Sequence, residues 1–201
     1  MQGSNLLHWP IVDQLFPRRS FDQLYCLGPY VWPISTWIKQ LKYYHRFELA
    51  VAIAHLLTPL WQKHLSLTLT DHWQSTAVPI HPKKWLQRGY NQAHLIAKQL
   101  SQNVSTHYQT LIYNSELLLR NEFSVSQVGQ TGRQRRQNLQ RAFAIHPSVT
   151  SLPKHIVIVD DVITTGSTVN AISRLLKEQG VNTVSVLTLA LTLPQITGSK
   201  H

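Results

Sequence analysis

Ile156-Val157-Ile158-Val159 is an unbroken run of branched apolar residues. A strand wetted on one face alternates apolar and polar residues. Four apolar positions in a row are what a parallel strand buried on both faces requires, and helices must then cover both of those faces. The downstream sequence supplies one of them. Thr168 to Gln179 reads as an amphipathic helix with Val169, Ile172, Leu175 and Leu176 on its inner side, and Gly180 stands where a C-terminal cap belongs. Thr183 to Ala190, rich in Val, Leu and Thr, predicts the next strand. Strand, helix and strand in that order form a βαβ unit, whose crossover is expected to be right-handed. The fold class expected is therefore α/β, a mainly parallel central sheet flanked by helices.

The rest of the chain fits this frame. Trp37 to Leu57 predicts a helix, with Ile38, Leu41, Leu49, Ile53 and Leu56 near one face. A short strand is expected over Ser75 to Pro79, ending at the turn-rich Pro79-Ile80-His81-Pro82. A second helix should start at Asn91 or Gln92 and run to about Gln102, burying Ala93, Ile96, Ala97 and Leu100, with a strand near Gln109 to Tyr113. The first 36 residues are rich in Pro and Trp without a clean period and read as an N-terminal extension or lid, leaving 37–201 as the domain. Residues 120–141 are dominated by Ser, Gln, Gly and Arg, which predicts a mobile basic loop.

Composition narrows the function. With 201 residues the chain suits one α/β domain. Cys26 is its only cysteine, which rules out an intramolecular disulfide and a multi-cysteine zinc site. Eleven histidines show no ligand spacing of the His-Glu-x-x-His kind, so no protein metal site is expected. No apolar run is long enough to cross a bilayer and no secretory pattern opens the chain, so a cytoplasmic protein without membrane insertion is expected. Lys and Arg number 19 against 9 acids, a formal charge of +10, which attracts polyanions such as phosphate ligands or nucleic acid.

The chemistry-bearing segment follows the apolar run. Asp160 and Asp161 stand where the strand is expected to end, the place where open α/β sheets hold ligands. Thr164, Thr165, Gly166, Ser167 and Thr168 form the loop into the next helix. A helix N-terminus offers converging N–H donors to a phosphate, a glycine allows close backbone approach, and hydroxyls add donors without bulk. Two carboxylates beside a phosphate loop would repel its ligand, unless they accept hydrogen bonds from sugar hydroxyls. The pattern thus asks for a phosphorylated sugar with a vicinal diol. The competing reading is a loop whose polar residues only cap the helix. A Walker motif is excluded, because the Gly-x4-Gly-Lys spacing is missing.

Val157 to Thr168 resembles the ribose-phosphate signature of type I phosphoribosyltransferases. Three further blocks are similar to the ComF/GntX family of competence-related proteins: Val78-Pro-Ile-His-Pro-Lys-Lys84, Arg88-Gly-Tyr-Asn-Gln-Ala93, and Arg135-x-x-Asn138 running on to Ala142-Phe143. Lys42-Tyr43 fits the family's N-terminal region. The resemblance spans about residues 37–190 and implies a type I phosphoribosyltransferase-like fold. It implies that Asp160 and Asp161 hold ribose hydroxyls and that Thr164 to Thr168 hold the 5-phosphate of phosphoribosyl diphosphate or a similar phosphosugar. His81, Lys83, Lys84 and Arg88 would line the pyrophosphate side, with Mg²⁺ bridging the diphosphate. Arg133, Arg135, Arg136 and Asn138 would belong to a flexible loop closing over the ligand. Many ComF proteins begin with a four-cysteine zinc module, which this chain lacks, so no zinc is expected.

Basic residues interleaved with aromatics suit single-stranded nucleic acid, where bases stack and phosphates pair. Lys42, Tyr43, Trp85 and Tyr90 are the candidate contacts; each aromatic has the alternative of a place in the core. The reading favoured is a ComF-like competence factor handling incoming single-stranded DNA in natural transformation, with a competence helicase or DNA-processing protein as a candidate partner. The alternatives are an active phosphoribosyltransferase, whose catalytic residues and acceptor the sequence does not identify, and a regulator that binds the phosphosugar without chemistry.

Overall fold

The computed structural model describes residues 5–65, 72–104, 111–121, 138–139 and 141–193. Among these residues are seven strands: β1 Gln23–Pro29, β2 Trp73–Ala77, β3 Leu111–Tyr113, β4 Leu118–Arg120, β5 Phe143–Ile145, β6 His155–Ile163 and β7 Thr183–Leu191. The helices are α1 Pro10–Leu15, α2 Ile34–Tyr43, α3 Glu48–Leu65, α4 Pro82–Arg88, α5 Gln92–Val104 and α6 Ser167–Glu178. Five strands form one sheet in the order β1-β7-β6-β2-β3, every pair parallel. β4 and β5 form a separate antiparallel pair.

The apolar run of β6 works on both faces. Val157 and Val159 join a core with α2, α3 and α5, while Ile156 and Ile158 join another with α6, the N-terminal segment and the β4–β5 pair. Alternation along the strand sends neighbours to opposite sides, so a continuous apolar run is the signature of the middle layer of three. Gly180, at φ +89°, follows the end of α6 in the left-handed conformation that a glycine cap needs.

Four expectations change. The helix expected over 37–57 is two helices, α2 and α3, separated around Tyr44–Phe47, with His45 at a positive φ of 52°. Leu41 and Leu49 are eight residues apart, so the apolar period runs straight across the break. The break is tertiary: Tyr90 donates its hydroxyl proton to the Leu41 carbonyl in the last turn of α2, and its ring packs edge-on against Phe47 at 4.7 Å. β6 runs on to Ile163, because its pairing with β7 continues through Ile163↔Leu191. Asp160 and Asp161 therefore lie inside the strand rather than after it. The segment set apart as an N-terminal extension is joined to the sheet through β1, which pairs with β7 from Gln23↔Ser185 to Pro29↔Leu191. Finally, the first residue of the expected loop over 120–141, Arg120, belongs instead to β4, paired with Phe143 of β5. Arg133, Arg135 and Arg136 lie outside the described residues, and Asn138 is half-buried just inside them.

Candidate functional site

A cleft of about 420 Å³ opens over the C-terminal ends of β6 and β2. Asp160 and Asp161 both border it, yet strand geometry sends them to different sides. Asp161 follows Val157 and Val159 toward α2 and α5. It is buried and ion-paired with Lys42 of α2, and it accepts a 3.0 Å hydrogen bond from the Gln92 side-chain amide of α5. Gln92 in turn accepts from Arg88 at 3.2 Å, and the Arg88 guanidinium lies 5.1 Å from the Tyr43 ring centroid. Asp161 is thus committed to two protein partners, which leaves Asp160 as the carboxylate without a salt bridge among the described residues.

Asp160 is half-exposed at its surface but ringed by protein. Burial pushes its carboxyl well above the usual carboxylate range, and the nearby Asp161 pushes it further, against the opposing pull of Lys42. One oxygen accepts the Asp161 backbone N–H at 2.9 Å. The group is therefore protonated more readily than an ordinary aspartate, and a cation or a ring of hydroxyl donors at its free edge would favour the ionised form.

The Thr164–Thr168 loop divides between two cavities. Thr164 and Thr168 border the cleft, whereas Thr165, Gly166 and Ser167 face a neighbouring pocket of about 360 Å³ whose far wall runs from Leu15 to Arg19 and includes Phe21. Gly166 is the N-cap of α6 at φ +69°, and the Thr165 hydroxyl accepts the Ser167 N–H at 3.4 Å. A Cβ on Gly166 would lie 2.5 Å from the Phe16 ring, so glycine is required twice, by conformation and by the close approach of Phe16. Asn170 of α6 fastens the same N-terminal segment, accepting the Ser20 N–H at 2.6 Å and donating to the Arg18 carbonyl at 3.2 Å.

The opposite wall is basic. His81, Lys84 and Arg88 border the cleft; Lys83 does not, and stands exposed on α4. His81 caps α4 by accepting the Lys83 N–H on Nδ1 at 3.1 Å. Its own desolvation, with Arg120, Lys83 and Lys84 around it, holds the ring below the usual imidazole range. The ring is therefore biased toward its neutral form, and with Nδ1 accepting from Lys83 the nitrogen left to donate is Nε2. Arg120 completes the wall, a residue that sequence reasoning missed; it stands at the edge of a segment read only as loop, and its partner strand β5 is 23 residues further on. Three cations (Lys84, Arg88, Arg120) thus stand on this wall, while a fourth, Lys42, is paired with Asp161 on the other side.

Two of the four candidate nucleic-acid contacts have other tasks. Tyr90 is buried and bonded to Leu41, and Lys42 is engaged by Asp161. Tyr43 is exposed but stacks under Arg88, and Trp85 stands half-exposed on α4. Among the described residues, no group of three or more His, Cys, Asp or Glu side chains converges as a metal site, and no helix is long and apolar enough to cross a membrane.

Comparison with known proteins agrees with this architecture. Residues 93–195, from α5 through β7, match the phosphoribosyl transferase domain family. The chain is 34% identical over 175 residues to Competence protein F of Haemophilus influenzae, covering 85% of this chain and 73% of that protein. It is 34% identical over 176 residues to DNA utilization protein YhgH of Salmonella typhi, covering 86% and 74% of the two chains. Competence protein ComFC of Streptococcus pneumoniae is 29% identical over 136 residues, 67% of this chain and 56% of that one. The domain match falls on the strand–loop–helix unit that builds the cleft, and the relatives extend it to the N-terminal elements that close it, so the chain belongs to the ComF family and has a type I phosphoribosyltransferase fold.

Proposed function

We propose that the cleft binds phosphoribosyl diphosphate or a similar ribose 5-phosphate compound, and that the chain is a ComF-like competence factor handling single-stranded DNA. The observation behind the first part is the convergence on a single cleft of one carboxylate without a salt bridge among the described residues, the hydroxyls of Thr164 and Thr168 at the entrance to α6, and the cations Lys84, Arg88 and Arg120. The second part rests on the names of its relatives, competence and DNA utilization proteins, and on the +10 charge.

In this reading Asp160 accepts hydrogen bonds from the ribose hydroxyls. Thr164, Thr168 and the first-turn amides of α6 hold the 5-phosphate. Lys84 and Arg88 neutralise the diphosphate, and His81 donates from Nε2 as a neutral ring. Asp161 is a positioning residue that fixes Lys42 and Gln92 beneath the cleft. Magnesium on the diphosphate fits the donor set, because Asp160 offers one carboxylate whose raised affinity for protons a cation would offset. When bound, it would neutralise diphosphate charge.

Phosphoribosyl diphosphate with magnesium should raise the melting temperature of the protein, since a ligand that binds only the native state stabilises it, by about 2.7 kcal/mol at a hundredfold excess over Kd. Asp160→Asn should abolish the shift while the fold persists. A full shift in the variant would overturn the placement of the sugar.

A further inference from the structure

Beside the cleft lies a second groove of about 780 Å³ that this reading leaves unused. Leu95 of α5 and Tyr113 of β3 form part of its apolar lining, and Trp85 and Leu86 of α4 border it. Trp85 is 50% exposed and Leu86 85%, so α4 presents its largest apolar side chains to solvent, with Lys83 and Lys84 exposed beside them. A few polar groups stand within the apolar lining, which is the usual make-up of a ligand site. His94 is one: its Nδ1 is 2.7 Å from the Tyr113 hydroxyl.

Arg120 belongs to the wall that the groove shares with the cleft. A guanidinium has five N–H donors. Here one contacts the Pro79 carbonyl at 3.4 Å, the plane covers the Phe143 ring at 5.2 Å, and Nε has no hydrogen-bond partner among the described residues. A half-enclosed cation with donors to spare calls for an anion. Among the described residues that line the groove, none carries a carboxylate. An apolar peptide would need no such cations, whereas a nucleotide strand needs a flat apolar face and a cation together.

We propose that this groove is a nucleobase subsite for single-stranded DNA, in which one unpaired base stacks on Trp85 and a neighbouring phosphate sits on Arg120. The inference rests on the reading that the chain handles single-stranded DNA. It adds where the strand lies: along α4, with Arg120 between the strand and the phosphosugar cleft.

Fluorescence anisotropy on the full chain, with a labelled oligothymidylate and an abasic oligomer of equal length, tests it. The wild type should prefer the base-bearing strand by about 5- to 150-fold, the equivalent of one stacked base. Trp85→Ala should remove that preference, Trp85→Leu should fail likewise because it keeps bulk without a flat ring, and Trp85→Phe should retain most of it. Arg120→Gln should flatten the salt slope by about 0.7, one phosphate contact on a single strand. Wild-type binding that ignores the missing bases, or Trp85 variants that keep the preference, would overturn the subsite and leave the DNA reading standing. No wild-type binding even at low salt would overturn both, and would turn the groove over to a protein partner.

Discussion

Asp160 and Asp161 are adjacent carboxylates in opposite situations. Asp161 lies against an ammonium and an amide donor, whereas Asp160 has burial and a like-charged neighbour to contend with. This has a measurable sign. In the unfolded chain an aspartate titrates near 3.9. In the folded chain Asp160 titrates higher, so over the interval between the two values the folded state holds a proton that the unfolded state has released. Stability therefore falls as pH rises through that interval, and the deficit persists above it. Asp160→Asn removes the titration. The ligand-free variant is expected to melt above the wild type at neutral pH, with the advantage shrinking toward about pH 3, below the unfolded-state value. Thermal melts across this range check it; a variant that melts lower at neutral pH would contradict the assignment. A variant that melts higher marks Asp160 as a carboxylate held at a cost in stability.

At the scale of elements, α2 is held to the sheet by the Lys42–Asp161 pair and by the Tyr90 hydroxyl on its last turn. A buried ion pair is no guarantee of net stability, but removing one partner strands the other. Lys42→Met should destabilise the protein by about 3 kcal/mol, because it leaves Asp161 buried without its cation. Lys42→Met combined with Asp161→Asn should cost less than the sum of the single changes, by about 0.5–3 kcal/mol. Denaturant unfolding of the four proteins in the cycle measures that coupling, and strict additivity would mean that the contact carries no energy. Sequence period could not see this arrangement: the spacing from Leu41 to Leu49 suits one continuous helix, and only the arrival of Tyr90 at the end of α2 divides it.

At the scale of the molecule, residues 5–29 belong to the packed structure. Leu24 and Phe16 are buried in one core and Tyr25 in the other, and the Asp22 carboxylate accepts the Val184 N–H at 2.7 Å. A chain beginning at Trp37 should accordingly fail to fold cooperatively, since β7 would lose its β1 neighbour and both cores would lose large buried side chains. Far-UV circular dichroism and limited proteolysis of that truncation would decide, and a cooperative melt near that of the full chain would restore the boundary at 37. The N-terminal segment escaped sequence reading because its strand, Gln23–Pro29, contains a glycine and a proline and lacks alternation. Such a strand is stabilised by its place beside β7, not by its own pattern.

The amino-acid sequence by itself determined the α/β class, the β6–α6–β7 unit, and the segment Asp160–Thr168 that borders the cleft. Each of these is local: a run of branched residues, a 3.6-residue period and a glycine at a helix entrance are written in consecutive positions. Only the tertiary structure decided which carboxylate stays available, because that depends on Lys42 and Gln92 arriving from two other elements. It likewise brought in Arg120, separated Tyr90 from Trp85, and drew the N-terminal segment against Gly166. Those outcomes turn on which surfaces meet when distant segments pack, and no spacing along the chain records that.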